Sequence, residues 1–255
     1  MNVKPKKHLG QHFLRDLSVA KRIADTLTCT HLPVLEIGAG TGVLTQFLIQ
    51  KNLHLHVVEI DTESVEYLKK NFSEHHFTLY EQDFLTLNMS VLPCPLVWIG
   101  NLPYNISSQV LFKLWENYHS VPEAVFMVQK EVAMRIAGSP NSKEYGILSV
   151  LLQLDYEVSY EFTVPPYVFN PPPKVYSGVI HLVKKVNSPQ YNRRRFLELV
   201  RTAFNQRRKI LKNSLKTFCN QFVDLTVRGR NVLEYRAENL SPDEFLSLLQ
   251  KVENE

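Results

Sequence analysis

Short, nearly continuous apolar runs alternate with stretches of helical periodicity through the first two-thirds of the chain. Residues 33–37, 54–60, 77–80, 96–99 and 124–128 read as strands, and residues 41–51, 62–71, 107–118 and 130–137 as helices between them. Strands that are apolar along their whole length need cover on both faces, which predicts a mostly parallel sheet in an α/β fold. Residues 148–158 and 175–183 are rich in β-formers and predict a late antiparallel pair that closes the sheet. Between them runs Pro165-Pro166-Tyr167-Val168-Phe169-Asn170-Pro171-Pro172-Pro173, too proline-rich for helix or central strand and so a stiff loop. Beyond Asn187-Ser188-Pro189 the pattern becomes helical, with Phe196, Leu199, Val200, Ala203, Phe204, Ile210 and Leu211 on one face. Ser241-Pro242-Asp243-Glu244 ahead of Phe245, Leu248 and Leu249 predicts a capped helix start. The expected organisation is an α/β domain over residues 1–187 and a small all-helical domain over 188–255.

Composition narrows the class. At 255 residues, 44% hydrophobic and 21% charged, the chain can bury a full core. No apolar run approaches membrane-spanning length, and the basic start Met1-Asn2-Val3-Lys4-Pro5-Lys6-Lys7 leads into no apolar segment of a secretory signal. Cys29, Cys94 and Cys219 are scattered without a CxxC spacing, and the histidines show no ligand spacing. A reducing cytoplasm, no membrane and no metal are the expectations. Net charge is only +4, yet the stretch 193–216 holds nine basic residues against Glu198 alone. The stretch carries +8, so the remainder sums to −4. A smaller basic cluster comprises Lys4, Lys6, Lys7 and Arg15. Such segregation points to a polyanion, RNA or DNA.

Candidate chemistry gathers at the ends of the predicted strands. Glu36-Ile37-Gly38-Ala39-Gly40-Thr41-Gly42 is a glycine-rich strand-to-helix turn where backbone can approach a nucleotide. No Lys-Ser/Thr follows in Walker spacing, which disfavours a phosphate loop. Glu59 ends the second strand, where a carboxylate can accept from ribose hydroxyls, and Asp83 with Phe84 follows the third, suited to an adenine amine and ring. NAD is the competing cofactor, and the strand-end Glu59 would fit it too. Asn101-Leu102-Pro103-Tyr104 decides otherwise, because it can hold a planar base by its exocyclic amine. The Asn101 oxygen and a backbone carbonyl of Leu102 or Pro103 would accept the two amine protons while Tyr104 stacks on the ring. Together these predict a methyltransferase acting on an amino group, with S-adenosylmethionine as donor. Pro93-Cys94-Pro95 precedes its strand, the wrong end for a nucleophile at the ligand edge.

These motifs resemble those of the ribosomal RNA adenine dimethyltransferase family, in particular the bacterial enzymes that modify small-subunit RNA near its 3′ end. The resemblance also covers residues 6–16 (KKHLGQHFLRD), Gln129-Lys130-Glu131-Val132-Ala133, Tyr145-Gly146-Ile147-Leu148-Ser149-Val150, Pro171-Pro172-Pro173-Lys174-Val175 and Ala203-Phe204-Asn205-Gln206-Arg207-Arg208-Lys209. Ala39 stands where proline is commoner in the family, and the glycines are kept. The resemblance implies a Rossmann-like methyltransferase sheet, mostly parallel with a late antiparallel strand. It implies that His12 and Leu14 cover S-adenosylmethionine, Gly38 and Gly40 approach its amino-acid end, Glu59 holds the ribose and Asp83 the adenine. Asn101 would sit between cofactor and target base, with Tyr104 and Phe169 stacking. Lys6, Lys7, Arg194, Arg201, Arg207, Arg208 and Lys209 are the candidate RNA contacts. The implied partner is small-subunit ribosomal RNA within an immature 30S particle, bound by a monomer. Large-subunit RNA methylation and a non-catalytic assembly role are the competing readings.

Overall fold

The computed structural model describes residues 3–73, 75–216, 218, 226–227 and 229–253. A short strand β1 (Phe13–Leu14) leads into α1 (Leu17–Thr26), whose first turn is capped by the Asp16 carboxylate accepting from the N–H groups of Ser18 and Val19. Then β2 (Val34–Ile37), α2 (Thr45–Gln50), β3 (Leu55–Glu59), α3 (Thr62–Asn71), β4 (Phe77–Glu81), β5 (Val97–Asn101), α4 (Ser107–Glu116) and β6 (Glu123–Gln129) follow in strand–helix alternation. They are succeeded by α5 (Lys130–Ala137), α6 (Ile147–Asp155), β7 (Tyr156–Val164), β8 (Phe169–Asn170) and β9 (Ser177–Lys184).

Seven of these strands form one sheet in the order β4-β3-β2-β5-β6-β9-β7. The pairs from β4 to β6 are parallel, and β9 runs antiparallel to β6 from Glu123↔Val183 to Gln129↔Ser177. All of β2 and β3 is buried, as expected for strands covered on both faces, whereas edge strands β4 and β7 carry exposed positions. The chain reverses its sheet order between β2 and β5. The crevice beyond the carboxyl ends of those two strands is where such sheets bind ligands.

Two predicted elements are corrected. Residues 148–155 are not strand: α6 occupies Ile147–Asp155, and the strand begins only at Tyr156. An apolar run buried on all sides carries no usable period, and here a local bond favours helix, with Gly146 N–H donating to Ser149 Oγ at 2.9 Å. The helix expected over 41–51 starts at Thr45 instead. Gly40 and Gly42 have φ of +56° and +75°, which an α-helix cannot include.

Contacts divide the chain into two compact units, 1–133 with 158–184, and 134–157 with 185–255. The composition change near residue 188 marks the later crossing, but the sequence boundary did not assign 134–157 to the C-terminal unit. That unit contains α6, α7 (Arg193–Asn205), α8 (Leu211–Ser214) and α9 (Pro242–Glu253). It is not all-helical: β10 (Thr226–Val227) and β11 (Arg230–Asn231) pair antiparallel. The predicted face of α7 is buried at Phe196, Leu199, Val200 and Ala203. At α9 the Ser241 N–H donates to Glu244 Oε2 at 2.8 Å, as the sequence predicts. Among the described residues no helix is long and apolar enough to cross a membrane. Cys29 and Cys94 are free thiols, and Cys219 lies outside the described residues.

Candidate active site

One cavity opens at the carboxyl ends of β2, β3, β4 and β5. His12, Leu14, Gly38, Gly40, Glu59, Asp83, Phe84, Asn101, Leu102, Pro103 and Tyr104 all line it. Parallel strands explain the convergence, since each delivers its following loop to the same sheet edge. Cys94 is exposed ahead of β5, at the opposite edge.

The glycine turn forms the floor. Gly38 and Gly40 both adopt left-handed φ, +72° and +56°. A Cβ on Gly40 would lie 2.9 Å from the Phe13 ring, so only glycine leaves both conformation and space. Glu59 is buried, with Oε2 accepting Gly40 N–H at 2.8 Å and Oε1 accepting Ile60 and Asp61 N–H at 2.9 Å each. Burial raises its pKa despite those bonds. Glu36 lies deeper on the same wall. Burial, with the neighbouring Glu59 charge, pushes its carboxyl up to about 8, so it is neutral at pH 7.

Asp83 begins a tight turn by accepting Leu85 N–H at 2.8 Å, and Phe84 packs edge-on to Trp98 with centroids 5.1 Å apart. Sequence reasoning overlooked what holds this turn. Lys113 of α4 donates to the carbonyls of Phe84, Leu85 and Leu87 at 2.6, 3.1 and 2.9 Å, with its ammonium 4.7 Å from the Phe84 ring centroid. Desolvation lowers the Lys113 pKa.

The N-terminal segment lies over the cavity. Lys6 pairs with the buried Asp61 and lies 3.5 Å from Glu63, while Gln11 Nε2 donates to Asp61 at 3.2 Å. Asp61, two residues past Glu59, thus anchors the covering strap. Lys6, expected on RNA, spends its charge there, whereas Lys7 is exposed. Asn101 Nδ2 donates to the His12 carbonyl at 3.3 Å. A carbonyl only accepts, so this bond turns the amide and leaves Oδ1 as acceptor. His12 Nδ1 donates to Pro171 O at 2.7 Å, and its ring centroid lies 5.4 Å from that of Tyr104. The Tyr104 hydroxyl shares a hydrogen bond of 2.6 Å with Ser177 Oγ, and burial raises its pKa. Ser177 was not foreseen, because no local pattern links residues so distant in sequence.

Phe169 departs from expectation. It pairs with Leu14 across β1 and β8, is only 3% exposed, and packs in the apolar core outside the cavity lining. In the C-terminal unit, Arg194, Arg201, Arg207, Arg208 and Lys209 are exposed. Arg207 is ion-paired with Glu238 at 2.7 Å and donates to the Lys143 carbonyl. Arg193 forms a part-buried pair with Asp155 at 2.9 Å.

The cavity offers acceptors for ribose hydroxyls at Glu59, an acceptor for an amine at Asp83, an apolar slot at Phe84 and bare backbone at Gly38 and Gly40. This set fits an adenosine carrying an amino-acid tail. Sheet order, glycine turn and acidic strand end make a nucleotide site of the Rossmann type, and Asn101-Leu102-Pro103-Tyr104 in the same cavity marks the class as S-adenosylmethionine-dependent methyltransferase.

The model of the family described as ribosomal RNA adenine dimethylase matches residues 2–254. The chain belongs to that family. It is 50% identical over 255 residues to the ribosomal RNA small subunit methyltransferase A of Phocaeicola vulgatus, covering 98% of this chain and 90% of the relative. It is 51% identical to the Porphyromonas gingivalis protein of the same name, covering 97% of each. Among solved structures it is similar to a dimethyladenosine transferase from Plasmodium falciparum, with TM-score 0.80, 28% identity and coverage of 95% of this chain and 98% of that one. The 23S rRNA methyltransferase ErmE gives TM-score 0.73 and 25% identity over 94% and 99%.

Proposed function

We propose that this enzyme transfers methyl groups to the N6 amines of two adjacent adenines near the 3′ end of small-subunit ribosomal RNA, giving dimethyladenosines. It acts as a cytoplasmic monomer on an immature 30S particle. The similarity to small-subunit methyltransferases over nearly full length supports this target over large-subunit RNA.

S-adenosylmethionine, when bound, supplies a methyl group already electrophilic through its sulfonium, so the protein needs neither nucleophile nor metal. What the protein must supply is a competent amine. An adenine amine has its lone pair delocalised into the ring, and acceptors on both protons favour the pyramidal nitrogen that can attack. Asn101 Oδ1 is one acceptor, freed by the bond from Nδ2 to His12. The Pro103 carbonyl already accepts Ile106 N–H at 3.2 Å, which favours Leu102 O as the second. Both dipoles also stabilise positive charge growing on nitrogen, an effect directed at the transition state. Tyr104, tethered through Ser177, offers its ring to the flipped base and recovers part of the unstacking cost. No general base is required, because an alkylated aryl ammonium loses its proton to water.

Glu59 and the Asp83 turn hold the adenosine portion, Gly38 and Gly40 the amino-acid end, and His12 and Leu14 the cover. Exposed Arg194, Arg201, Arg208 and Lys209, with Lys7, supply phosphate contacts that give affinity and register rather than base identity. Asn101 carries the reading, since its amide orientation is the feature aimed at an amine. The test is radiolabelled methyl transfer from S-adenosylmethionine to unmethylated small subunits, with nucleoside products resolved. Labelled dimethyladenosine in small-subunit RNA is expected. Label confined to large-subunit RNA or DNA would overturn the target assignment.

A further inference from the structure

We propose that Tyr167 and Tyr176 form a stacking platform for unpaired bases flanking the target adenine. The inference deepens the RNA-methylating reading and rests on it. The proline-rich connection between β7 and β9 carries three aromatic rings and divides them sharply: Phe169 is buried, whereas Tyr167 is 81% and Tyr176 53% exposed. Single exposed apolar residues are ordinary, so exposure alone carries nothing. The surroundings carry it.

A cation accompanies the Tyr176 ring, and the backbone of a second basic residue is bonded beside Tyr167. Lys130 Nζ lies 6.0 Å from the Tyr176 ring centroid, and Lys130 N–H donates to the Tyr176 carbonyl at 2.9 Å. Arg15 N–H donates to the carbonyl of Val168, the neighbour of Tyr167, at 2.8 Å. Lys130, Arg15 and Lys174 are all exposed. No Asp or Glu occurs in the sequence from Phe162 to Leu197, so nothing on this connection repels phosphate. The connection also touches the reaction site twice: Pro171 O accepts from His12, and Ser177, next to Tyr176, is bonded to Tyr104. Pro165 and Pro166 fix the backbone φ just before Tyr167, and Pro171 to Pro173 fix it between the two rings, so less ordering entropy is lost when a ligand settles on them. Exposed rings on a proline-stiffened, acid-free connection with cations beside it suit single-stranded nucleic acid. Each base offers a π-face whatever its identity, and each linkage offers a phosphate.

The test uses the full chain and an oligoribonucleotide bearing two adjacent adenines, with 2-aminopurine as the neighbouring base. The parent protein is expected to quench 2-aminopurine fluorescence on binding. Tyr167→Ala with Tyr176→Ala should abolish the quenching and raise KM for the RNA about tenfold or more, with kcat and S-adenosylmethionine affinity unchanged. Tyr167→Phe with Tyr176→Phe should restore both, since stacking needs the ring and not the hydroxyl. Retained quenching and an unchanged KM in the alanine variant, while the parent methylates normally, would overturn the platform and leave the activity standing. Loss of quenching in the phenylalanine variant would overturn it in favour of hydroxyl contacts. Failure of the parent itself to methylate any RNA would sink both.

Discussion

Asn101 ends β5 with its amide turned by the His12 carbonyl, so chemistry here depends on the rotation of one side chain. Asn101→Ala is expected to lower kcat by about 10²–10³-fold, the usual loss for one transition-state donor or acceptor. Equilibrium dialysis with S-adenosylmethionine and filter binding of RNA should show affinities close to the parent's. A kcat within threefold of the parent would discard the amine clamp. Glu36 makes the second residue-scale prediction. Its folded pKa of about 8 exceeds that of an unfolded chain. Its stabilising contribution is therefore complete below the ordinary carboxyl range and lost as pH rises through about 8. Glu36→Gln keeps the neutral shape, so its Tm relative to the parent should climb from pH 5 to about pH 8 and level off above it. Melting curves that stay parallel across that range would place the carboxyl elsewhere in its titration.

At the scale of elements, helices hold the loops that strands deliver. Lys113 reaches from α4 to three carbonyls of the turn after Asp83, a bond set that neither propensity nor spacing could announce. Lys113→Met should weaken S-adenosylmethionine binding about tenfold, the order expected when charge-assisted bonds to a loop are lost. The same loss should appear for adenosine alone, and KM for RNA should not move. A lowered Tm with unchanged Kd would reduce Lys113 to a structural residue. Elements also explain the unequal legibility of the sequence. Strands β2, β3, β5 and β6 were readable because burial on both faces demands unbroken apolar runs of strand length. The same rule misled at residues 148–155, where an equally apolar run is the buried helix α6. Around Gly40 and Gly42 the local signal was present, in residues that favour positive φ, yet periodicity placed the helix start too early.

Over the whole molecule, charge segregates strongly, and the structure divides the basic residues by use. Lys6 serves Asp61, Arg193 serves Asp155 and Arg207 serves Glu238, while Arg208 and Lys209 stay exposed. Arg208→Ala with Lys209→Ala should weaken RNA binding similarly for all sequences and reduce its salt slope by about 1.5, reflecting two phosphate contacts. Filter binding from low to moderate salt checks this, and an unchanged slope would remove these side chains from the interface. From the sequence come the α/β class and the strand ends whose candidate residues the structure brings to one cavity. These follow from local rules, in which apolar runs make strands and glycines open turns that let backbone near a ligand. Tertiary structure alone decided that Phe169 is core, that Lys6 is a clasp, that Lys113 and Ser177 support the site, and that residues 134–157 group with the C-terminal helices. Each of those facts is a contact between residues far apart in the chain. Periodicity reports which face a residue turns inward, but not what it meets there.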